Sequence, residues 1–428
     1  MISITEALRM CLKSVHAMPA ESVPTEAALH RVLAEDIHAR TALPPWDNSA
    51  MDGYALLAAD TDGLPANTDQ DACFSAATPT RDFVQLSITE TIPAGTVAEQ
   101  PITTGKAARI MTGAPMPAGA DSVIMREQTT ESEDSVQVHR RVVTGQNVRK
   151  AGENVPAGAR VLHKGSILTP GALGLCAAIG CESVMVSRQP RVAILSTGDE
   201  VVAPGQSLQK GKIHSSNTHA LCGWIRLAGG LPIDIGIAKD TLEDTRDKLG
   251  QAVGADVVIS TGGVSVGDYD VVRQAMDELG AKMQFWKVRI KPGKPLAFGV
   301  IQGTPAFGLP GNPVSCQVGF LQFVRPWIRT ALGDRNPFLP VIQAQFDGSF
   351  EKKAGRAELA RVAVRLGANG PVATLAGSQG SGNQMSMVQA NGLLLMSESK
   401  TTIQNGDNVT VQLFGSLVEP CDKLSFPW

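Results

Sequence analysis

The stretch from Ala255 to Gly299 constrains the fold of this chain more than any other. Its apolar segment Val257–Ser260 predicts a short strand, and Thr261-Gly262-Gly263 predicts a flexible turn after it. A strand, a glycine turn and a helix in this order bind phosphate, because backbone N–H groups at the turn and the helix start converge on an anion. Carboxylates beside such a turn suggest a hydrated divalent cation that bridges to the anion. The stretch also carries Asp268, Asp270, Lys287, Lys291 and Lys294.

Two further segments repeat the strand-and-turn arrangement. Arg191–Ser196 is an apolar strand followed by a Thr-Gly-Asp-Glu sequence at 197–200. Pro305–Leu309 ends in Pro-Gly-Asn-Pro, where Asn312 suits a helix N-cap and Pro313 the first helical position. One such repeat can arise by chance. Three turns of this kind favour an α/β sheet whose strands end at one ligand-binding edge.

Composition excludes several classes of protein. A chain of 428 residues is too long for one hydrophobic core and is expected to form roughly two to four domains. The net charge of −3 and the pI near 6.2 provide no general field for nucleic acid or an anionic membrane. The seven cysteines are scattered without a CxxC pair, which argues against a disulfide framework, a zinc knuckle or an iron–sulfur cluster. The N-terminus lacks a secretory signal pattern and no apolar run is long enough to span a bilayer, so a cytoplasmic protein is expected.

The remaining parts of the chain differ in pattern. Apolar residues at helical spacing within residues 1–40 predict two helices, the second around Ala28–Leu33. Short alternating runs between Tyr54 and Gln146 predict a small β domain, and those in 336–428 a β barrel or sandwich. Prolines in 43–54 and 108–117 interrupt any regular pattern and predict two shaped loops.

Seven longer motifs occur in order through nearly the whole chain. They are PPWDNSAMDGYAL (44–56), ARIMTGAPMPAGAD (108–121), VRKAGENV (148–155), ILSTGDEVV (194–202), ISTGGVSVGDYD (259–270), VRIKPGKPLAFG (288–299) and GLPGNPVSC (308–316). Together they closely resemble the MoeA family of molybdopterin molybdenumtransferases, which includes the gephyrin E domain. The co-occurrence of these motifs is far more specific than any single glycine turn.

The resemblance implies a multidomain fold of the α/β plus β class. Residues 1–45 and 147–187 would form an extended helical domain, and 46–146 a β domain inserted into it. Residues 188–333 would form a MogA-like α/β molybdopterin-binding domain, and 334–428 a C-terminal β barrel. The resemblance also implies an elongated homodimer whose active site lies between the α/β domain of one subunit and the inserted domain of the other.

The implied reaction belongs to molybdenum cofactor biosynthesis. Adenylylated molybdopterin and molybdate would give molybdenum cofactor and AMP with the assistance of Mg²⁺, and the adenylylating protein is an expected partner. Such a substrate requires cations and N–H donors for phosphate, carboxylates for Mg²⁺ and a pocket for a tetrahedral dianion. Positioning and electrostatic stabilisation suffice, and no covalent enzyme intermediate is required.

Site residues follow from the resemblance by motif position. The catalytic candidates are Asp52, Thr112, Arg149, Glu200, Asp240, Asp270, Lys287 and Lys291, of which the first three would come from the partner subunit. The metal candidates are Asp199, Glu200, Asp240 and Asp270. The candidates for binding the cofactor moiety are Ser196, Thr197, Gly198, Asn217, Gly262, Gly263, Ser265, Lys294, Pro310 and Pro313. Ordinary structural roles stay open for some of them, for example Asp240 as a helix N-cap or Asp52 in an Asp-Gly turn.

Some positions depart from the family pattern or match it weakly. Asn154 stands where relatives often carry Asp after Gly-Glu, which puts a metal or molybdate role of that position in doubt. Ser215 stands where an Asp usually precedes the Ser/Thr-Asn pair. Arg356 and Ser381 in the C-terminal region match the family only weakly as cleft residues.

Two other functions remain as alternatives. The chain could be an interaction scaffold, since the gephyrin E domain also gathers receptor peptides at its dimer surface. In the other alternative, only the α/β domain carries function, with another nucleotide-like ligand. Asp52, Thr112 and Arg149 argue against this reading, because they belong to other domains.

Overall fold

The computed structural model describes residues 1–66, 80–263 and 271–417. The first part of the chain contains α1 (Ile4–Lys13), β1 (Ala20–Pro24), β2 (Ile37–His38), β3 (Asn48–Ser49), β4 (Gly53–Leu56), β5 (Val84–Ile92), β6 (Lys106–Ile110), β7 (Ser122–Met125), β8 (Thr129–Glu131), β9 (Ser135–Val138), β10 (Val148–Arg149), β11 (Arg160–Leu162), α2 (Pro170–Ala178) and β12 (Ser183–Ser187). The middle part contains β13 (Arg191–Thr197), β14 (Val201–Val202), β15 (Ile213–His214), α3 (Asn217–Leu227), β16 (Leu231–Ala238), α4 (Leu242–Ala252), β17 (Val257–Thr261), α5 (Val271–Glu278), β18 (Lys282–Lys287), β19 (Ile290–Lys291), β20 (Pro295–Ile301), β21 (Thr304–Leu309), α6 (Pro313–Gly319), a π-helical segment (Phe320–Val324) and α7 (Arg325–Ala331). The last part contains β22 (Val341–Asp347), β23 (Phe350–Glu351), β24 (Ala357–Gly367), β25 (Gly370–Leu375), α8 (Met385–Gln389), β26 (Gly392–Met396), β27 (Thr402–Ile403) and β28 (Asn408–Leu413).

The first helix predicted in residues 1–40 is present, but the second is not. Ser3 caps α1 by accepting a hydrogen bond from the Glu6 N–H at 3.1 Å. The prediction of a helix around Ala28–Leu33 was wrong: β1 pairs with β12, and Leu33 forms a bridge to Val186. His30 adopts a φ of 61°, which a continuous α-helix does not accommodate. Short apolar runs fit either period, and here contacts with distant residues decide between them.

The inserted segment forms a six-stranded sheet of order β7-β4-β6-β5-β9-β8, as the alternating pattern predicted. The first shaped loop leads into β4, and the second connects β6 to β7. They are joined to each other, and the first is joined to β10, which follows the inserted segment. β3 in the first loop pairs with β10, so that Asn48 lies opposite Arg149. Asn48 also forms a bridge to Pro115 in the second loop.

The middle of the chain forms an α/β sheet of order β16-β13-β17-β21-β20-β18. The first four of these strands are parallel, and β20 and β18 complete the sheet in antiparallel fashion. Buried apolar clusters cover both faces, with Ile194 and Ile259 in one and Leu195 and Val258 in the other. Because parallel strands share an orientation, β13, β17 and β21 all end at one edge, as predicted.

The C-terminal region is a closed barrel. Strands β24, β25, β22, β28 and β26 pair in succession, and β26 pairs again with β24. Phe346, Val362 and Val411 lie in its apolar interior. Strand β19 of the middle region pairs in parallel with β24, with Lys291 opposite Glu358. This pairing joins the barrel to the α/β domain. Within the described residues no helix is long and apolar enough to cross a membrane.

Candidate active site

The turns after β13, β17 and β21 converge at one edge of the α/β sheet. The Thr197 hydroxyl donates a hydrogen bond to the Thr261 carbonyl at 3.3 Å, which joins the first two turns. The Gly262 N–H donates to the Leu309 carbonyl at 3.2 Å, which joins the second turn to β21. A methyl group on Gly311 would lie 3.6 Å from the Gly262 Cα. The three turns therefore lie side by side at this edge, and Pro310 and Pro313 flank Gly311 and Asn312 in the third turn.

Glycine is required at the β17 turn for conformation and for space. Gly262 has a φ of 90° and Gly263 a φ of 61°, in the region that favours glycine. A Cβ on Gly262 would lie 2.8 Å from both the carbonyl oxygen and the hydroxyl of Thr197. A Cβ on Gly263 would lie 2.3 Å from the Val272 Cγ2 at the start of α5.

Gly262→Ala is expected to lower the free energy of unfolding of the α/β domain by about 1–3 kcal/mol, because the strained φ and the contact with Thr197 add. Calorimetric thermal unfolding measures the effect. Gly254→Ala is the matched control, since no atom lies within 4 Å of a Cβ there and its φ is outside the glycine region. Equal unfolding of the two variants would contradict the role of Gly262.

Two predicted carboxylates meet at the ends of neighbouring strands. The Asp199 N–H donates to the Asp240 carboxylate at 3.1 Å, and the Asp240 N–H donates to the Asp199 carboxylate at 3.2 Å. Asp240 does not cap α4, because Thr241 is the N-cap and accepts from the Asp244 N–H. Both carboxylates are thus held at the ligand edge rather than used to start a helix. We call them the Asp199–Asp240 pair.

Glu200 and Lys212 lie beside this pair. The Glu200 carboxylate lies over Gly198, where an added Cβ would be 2.5 Å from Oε2. Gly198 has a φ of 132°, so this position needs glycine for its backbone conformation. The Lys212 ammonium donates to the Asp199 carbonyl at 2.5 Å. Lys212 was not among the sequence candidates, because its contact depends on the fold of the β14–β15 connection.

Hydroxyl and amide groups line the sheet edge next to α3. The Ser196 and Thr218 hydroxyls are 2.7 Å apart, and Ser215 continues the row at 3.2 Å from Thr218. Ser215 is buried and takes part in a hydroxyl network, so this departure from the family pattern is accommodated by neutral partners. Asn217 donates to the Gly311 carbonyl at 2.8 Å and thereby links α3 to the third turn.

The three predicted lysines lie close together in the chain: Lys287 ends β18, Lys291 ends β19, and Lys294 directly precedes β20. Lys291 forms an ion pair of 3.0 Å with Glu358, whose side chain is only 4% exposed. The Lys294 carbonyl accepts a hydrogen bond from the Val288 N–H, and Lys294 itself is exposed. Gly293 lies against Ser315 of α6, since an added Cβ would be 3.6 Å from the Ser315 carbonyl oxygen. This segment therefore borders the third turn, and Lys287 precedes it at the end of β18.

The C-terminal barrel contributes one loop to the same edge. The Val314 N–H at the start of α6 donates to the Ser381 carbonyl at 3.0 Å, which places Ser381 beside the site. Gln384 donates to the Ser216 hydroxyl at 2.9 Å, a contact that sequence analysis missed. Arg361 is buried and holds this loop through the carbonyls of Ser378 and Gly380. For Arg356, the structure shows a backbone contact in which its carbonyl accepts from Lys352 at 2.8 Å.

A second cluster of predicted residues lies on the two shaped loops and on the adjoining strand β10. The Asp52 carboxylate accepts hydrogen bonds from the N–H and the hydroxyl of Thr112, both at 2.7 Å. These bonds, that of the Thr112 N–H first, hold the pKa of Asp52 below its ordinary value, so the group is a carboxylate at neutral pH. Arg149 is exposed on β10, opposite Asn48. Asn154 is also exposed, and its N–H donates to the Leu43 carbonyl.

The structure therefore divides the candidates into two groups. Among the described residues, no hydrogen bond or ion pair joins Asp52, Thr112 or Arg149 to the Asp199–Asp240 pair or to the glycine turns. Ser265 and Asp270 lie outside the described residues.

Hard oxygen ligands are available for Mg²⁺ at the Asp199–Asp240 pair. No cluster of three or more His, Cys, Asp or Glu side chains that could hold a metal occurs within 1–66, 80–263 and 271–417. Mg²⁺ is commonly held by one or two carboxylates together with substrate phosphates and water. The two carboxylates of the Asp199–Asp240 pair, beside the glycine turns, fit this mode.

Family models match most of the chain. Models for the MoeA N-terminal region (domain I and II), a probable molybdopterin binding domain and the MoeA C-terminal region (domain IV) match residues 2–180, 193–330 and 343–414. The α/β sheet with three turns at one edge thus defines the class, an enzyme built around a MogA-like molybdopterin-binding domain, and the predicted fold class is confirmed.

Several relatives resemble this chain over nearly their full length, and their names agree with the family models. The chain is 37% identical over 420 residues to molybdopterin molybdenumtransferase 2 of Mycobacterium tuberculosis, covering 96% of this chain and 99% of that protein. It is 37% identical over 403 residues to the molybdopterin molybdenumtransferase of a Nostoc species, covering 91% and 88%. The crystal structure of a molybdopterin biosynthesis moeA protein from Pyrococcus horikoshii matches with a TM-score of 0.80 and 30% identity, covering 97% and 100%. The chain belongs to the MoeA family of molybdopterin molybdenumtransferases and is an enzyme of molybdenum cofactor biosynthesis.

Proposed function

We propose that this enzyme inserts molybdate into adenylylated molybdopterin in a Mg²⁺-dependent reaction and releases AMP and molybdenum cofactor. The Asp199–Asp240 pair is the observation that carries the proposal. It places two carboxylates at the strand ends where the Gly262 turn presents a surface for an anion. A phosphoanhydride and a divalent cation are the groups that this combination suits.

The proposed reaction balances in atoms and charge. Molybdate exchanges one oxide for the two dithiolene sulfurs, and the oxide leaves with the two thiol protons as water. Cleavage of the phosphoanhydride consumes one water and separates AMP from the molybdopterin phosphate. Bound Mg²⁺ would neutralise phosphate charge and polarise the phosphoanhydride. The protein's own groups hold the two reaction centres together, which is catalysis by positioning and electrostatics.

The lysines and the barrel loop complete the anion-binding surface in this proposal. Lys294 is exposed beside the third turn and would contact phosphate or molybdate. Lys291 forms an ion pair with the buried Glu358 and would act as part of that pair. The pterin and its phosphate would be surrounded by Lys287, Ser381, Asn217 and the Ser196–Thr197–Gly198 turn.

The two groups of candidate residues support a shared site in a homodimer. Asp52 and Thr112 lie on the shaped loops and Arg149 lies on β10. Within the part of the chain that the structure describes, no hydrogen bond or ion pair joins these residues to the cleft of their own chain. A two-fold axis would allow the loops of each subunit to complete the cleft of the other. The cytoplasmic location and contact with an adenylylating protein are also part of the proposal.

AMP release is the test of the proposed function. The purified protein is incubated with adenylylated molybdopterin, with Mg²⁺ or with EDTA, and with or without molybdate. We expect AMP release that requires Mg²⁺ and increases with molybdate. Binding of peptides by a folded protein that releases no AMP from intact substrate would support the scaffold alternative instead.

A further inference from the structure

Asp47 connects three loops at the edge of the inserted domain. One carboxylate oxygen accepts from the Lys150 ammonium at 2.8 Å, and the other accepts from the Ala151 N–H at 2.8 Å. The Asp47 carbonyl accepts from the Met116 N–H at 2.9 Å. A single residue on the first shaped loop therefore contacts both the second shaped loop and the strand-and-turn segment 148–151.

Each of these loops carries one candidate of the second cluster. Asp52 follows Asp47 on the first loop, Thr112 lies on the second, and Arg149 immediately precedes Lys150. The backbone joins them further, because the Gly113 N–H donates to the Ser49 carbonyl at 2.8 Å. Displacement of Asp47 would thus change the relative positions of all three candidates.

The exposure of the ion pair indicates a positional rather than a stabilising role. The side chain of Lys150 is 61% exposed and that of Asp47 is 41% exposed. Ion pairs with this exposure contribute little to stability, since water screens them and the long side chains lose entropy. The bonds with Lys150 and then with the Ala151 N–H nevertheless hold the pKa of Asp47 below its ordinary value, so the carboxylate keeps its charge at neutral pH.

We propose that Asp47, through Lys150 and Ala151, is a positioning residue that sets Arg149 relative to Asp52 and Thr112. The proposal rests on the proposed function, in which these three residues complete a cleft. In this proposal Asp47 acts only through its contacts with Lys150, Ala151 and Met116. It acts on the reaction through the geometry of the loops, where small displacements of reacting groups lower rate steeply.

The variants Asp47→Asn, Lys150→Gln and their combination test the proposal. Asn keeps an acceptor for the Ala151 N–H and removes the charged bond to Lys150. Asp36→Asn is a matched control, because Asp36 likewise accepts from a cation, Arg160 at 3.0 Å, and from a backbone N–H, that of Lys164 at 2.7 Å. That pair joins the residue before β2 to β11, and neither residue belongs to the shaped loops.

We expect Asp47→Asn to lower kcat for AMP release roughly tenfold, while KM for adenylylated molybdopterin changes less than about twofold. The double variant should lose no more than the larger single variant, because both changes break one interaction. Amide hydrogen exchange in 147–154 should be faster than in wild type. Asp36→Asn should leave both measurements unchanged.

Three outcomes would overturn the proposal. These are equal behaviour of Asp47→Asn and Asp36→Asn, additive losses in the double variant, and a loss in Lys150→Gln far greater than in Asp47→Asn, which would assign Lys150 to substrate. If wild type releases no AMP, the proposed function fails. The exchange comparison then still decides whether Asp47 orders these loops.

Discussion

Asp240→Asn is expected to lower kcat/KM for AMP release on the order of 10²- to 10³-fold, about 3–4 kcal/mol in transition-state free energy. Asparagine keeps an acceptor for the Asp199 N–H, so the strand ends should stay in place. The lost charge removes one of two carboxylates from the proposed site for a cation and a phosphoanhydride. The variant should also require a higher Mg²⁺ concentration for half-maximal rate, which a Mg²⁺ titration measures.

Asp234→Asn is the control for this prediction. Asp234 lies on the same strand, β16, and its carboxylate accepts from the Gly236 N–H at 2.8 Å. It is removed from the ligand edge, so its loss of charge should not change the rate. A rate for Asp240→Asn within a factor of about two of wild type would exclude the Asp199–Asp240 pair from the chemistry.

If the proposed homodimer shares its sites between subunits, mixed dimers of two inactive variants should regain activity. Asp52→Ala breaks the contact with Thr112, and Asp240→Asn disables the cleft, so each homodimer should retain roughly one hundredth of the wild-type rate or less. In a mixed dimer one cleft is formed by a wild-type α/β domain and wild-type loops. With random pairing, roughly a quarter of the wild-type sites are restored, because half of the dimers are mixed and each has one intact site.

The mixing experiment separates a shared site from a site within one chain. Both variants are unfolded and refolded together, or coexpressed with different tags. AMP release is measured on the random mixture and on the purified mixed dimers, in which about half of the sites should be active. The control is a mixture of two variants that are both changed on the shaped loops, Asp52→Ala and Thr112→Ala. This mixture should not recover activity, because neither subunit then has wild-type loops. Failure of the Asp52→Ala and Asp240→Asn mixture to recover, despite verified mixed dimers, would place the complete site within each chain.

Local sequence patterns predicted the elements that carry the site. The apolar segments before Thr197, Gly262 and Pro310 form strands, and Pro313 is the first residue of α6 with Asn312 as its N-cap. Asn312 makes no side-chain capping bond, so the signal located the helix start without its usual mechanism. These features were predictable because the φ limits of glycine and proline and the apolar periodicity act over a few residues.

The prediction of a second N-terminal helix was wrong because it, too, used only signals that act over a few residues. Ala28 and Leu33 are buried against α2 and β12, which lie far along the chain. Residues at helical spacing can equally line the interior beside a short strand pair. Only the contact partners distinguish the two, and a window of about 11 to 18 residues does not contain them.

The sequence by itself determined the family, the reaction class, the three glycine turns and which residue types are available to the site. The tertiary structure alone decided their pairings. Asp199 meets Asp240 because β13 and β16 are neighbours in the sheet. Lys291 meets Glu358 because β19 of the middle region pairs with β24 of the barrel. Strand order and domain docking arise from the burial of whole faces, which no short motif encodes, and they determine which distant charges lie together.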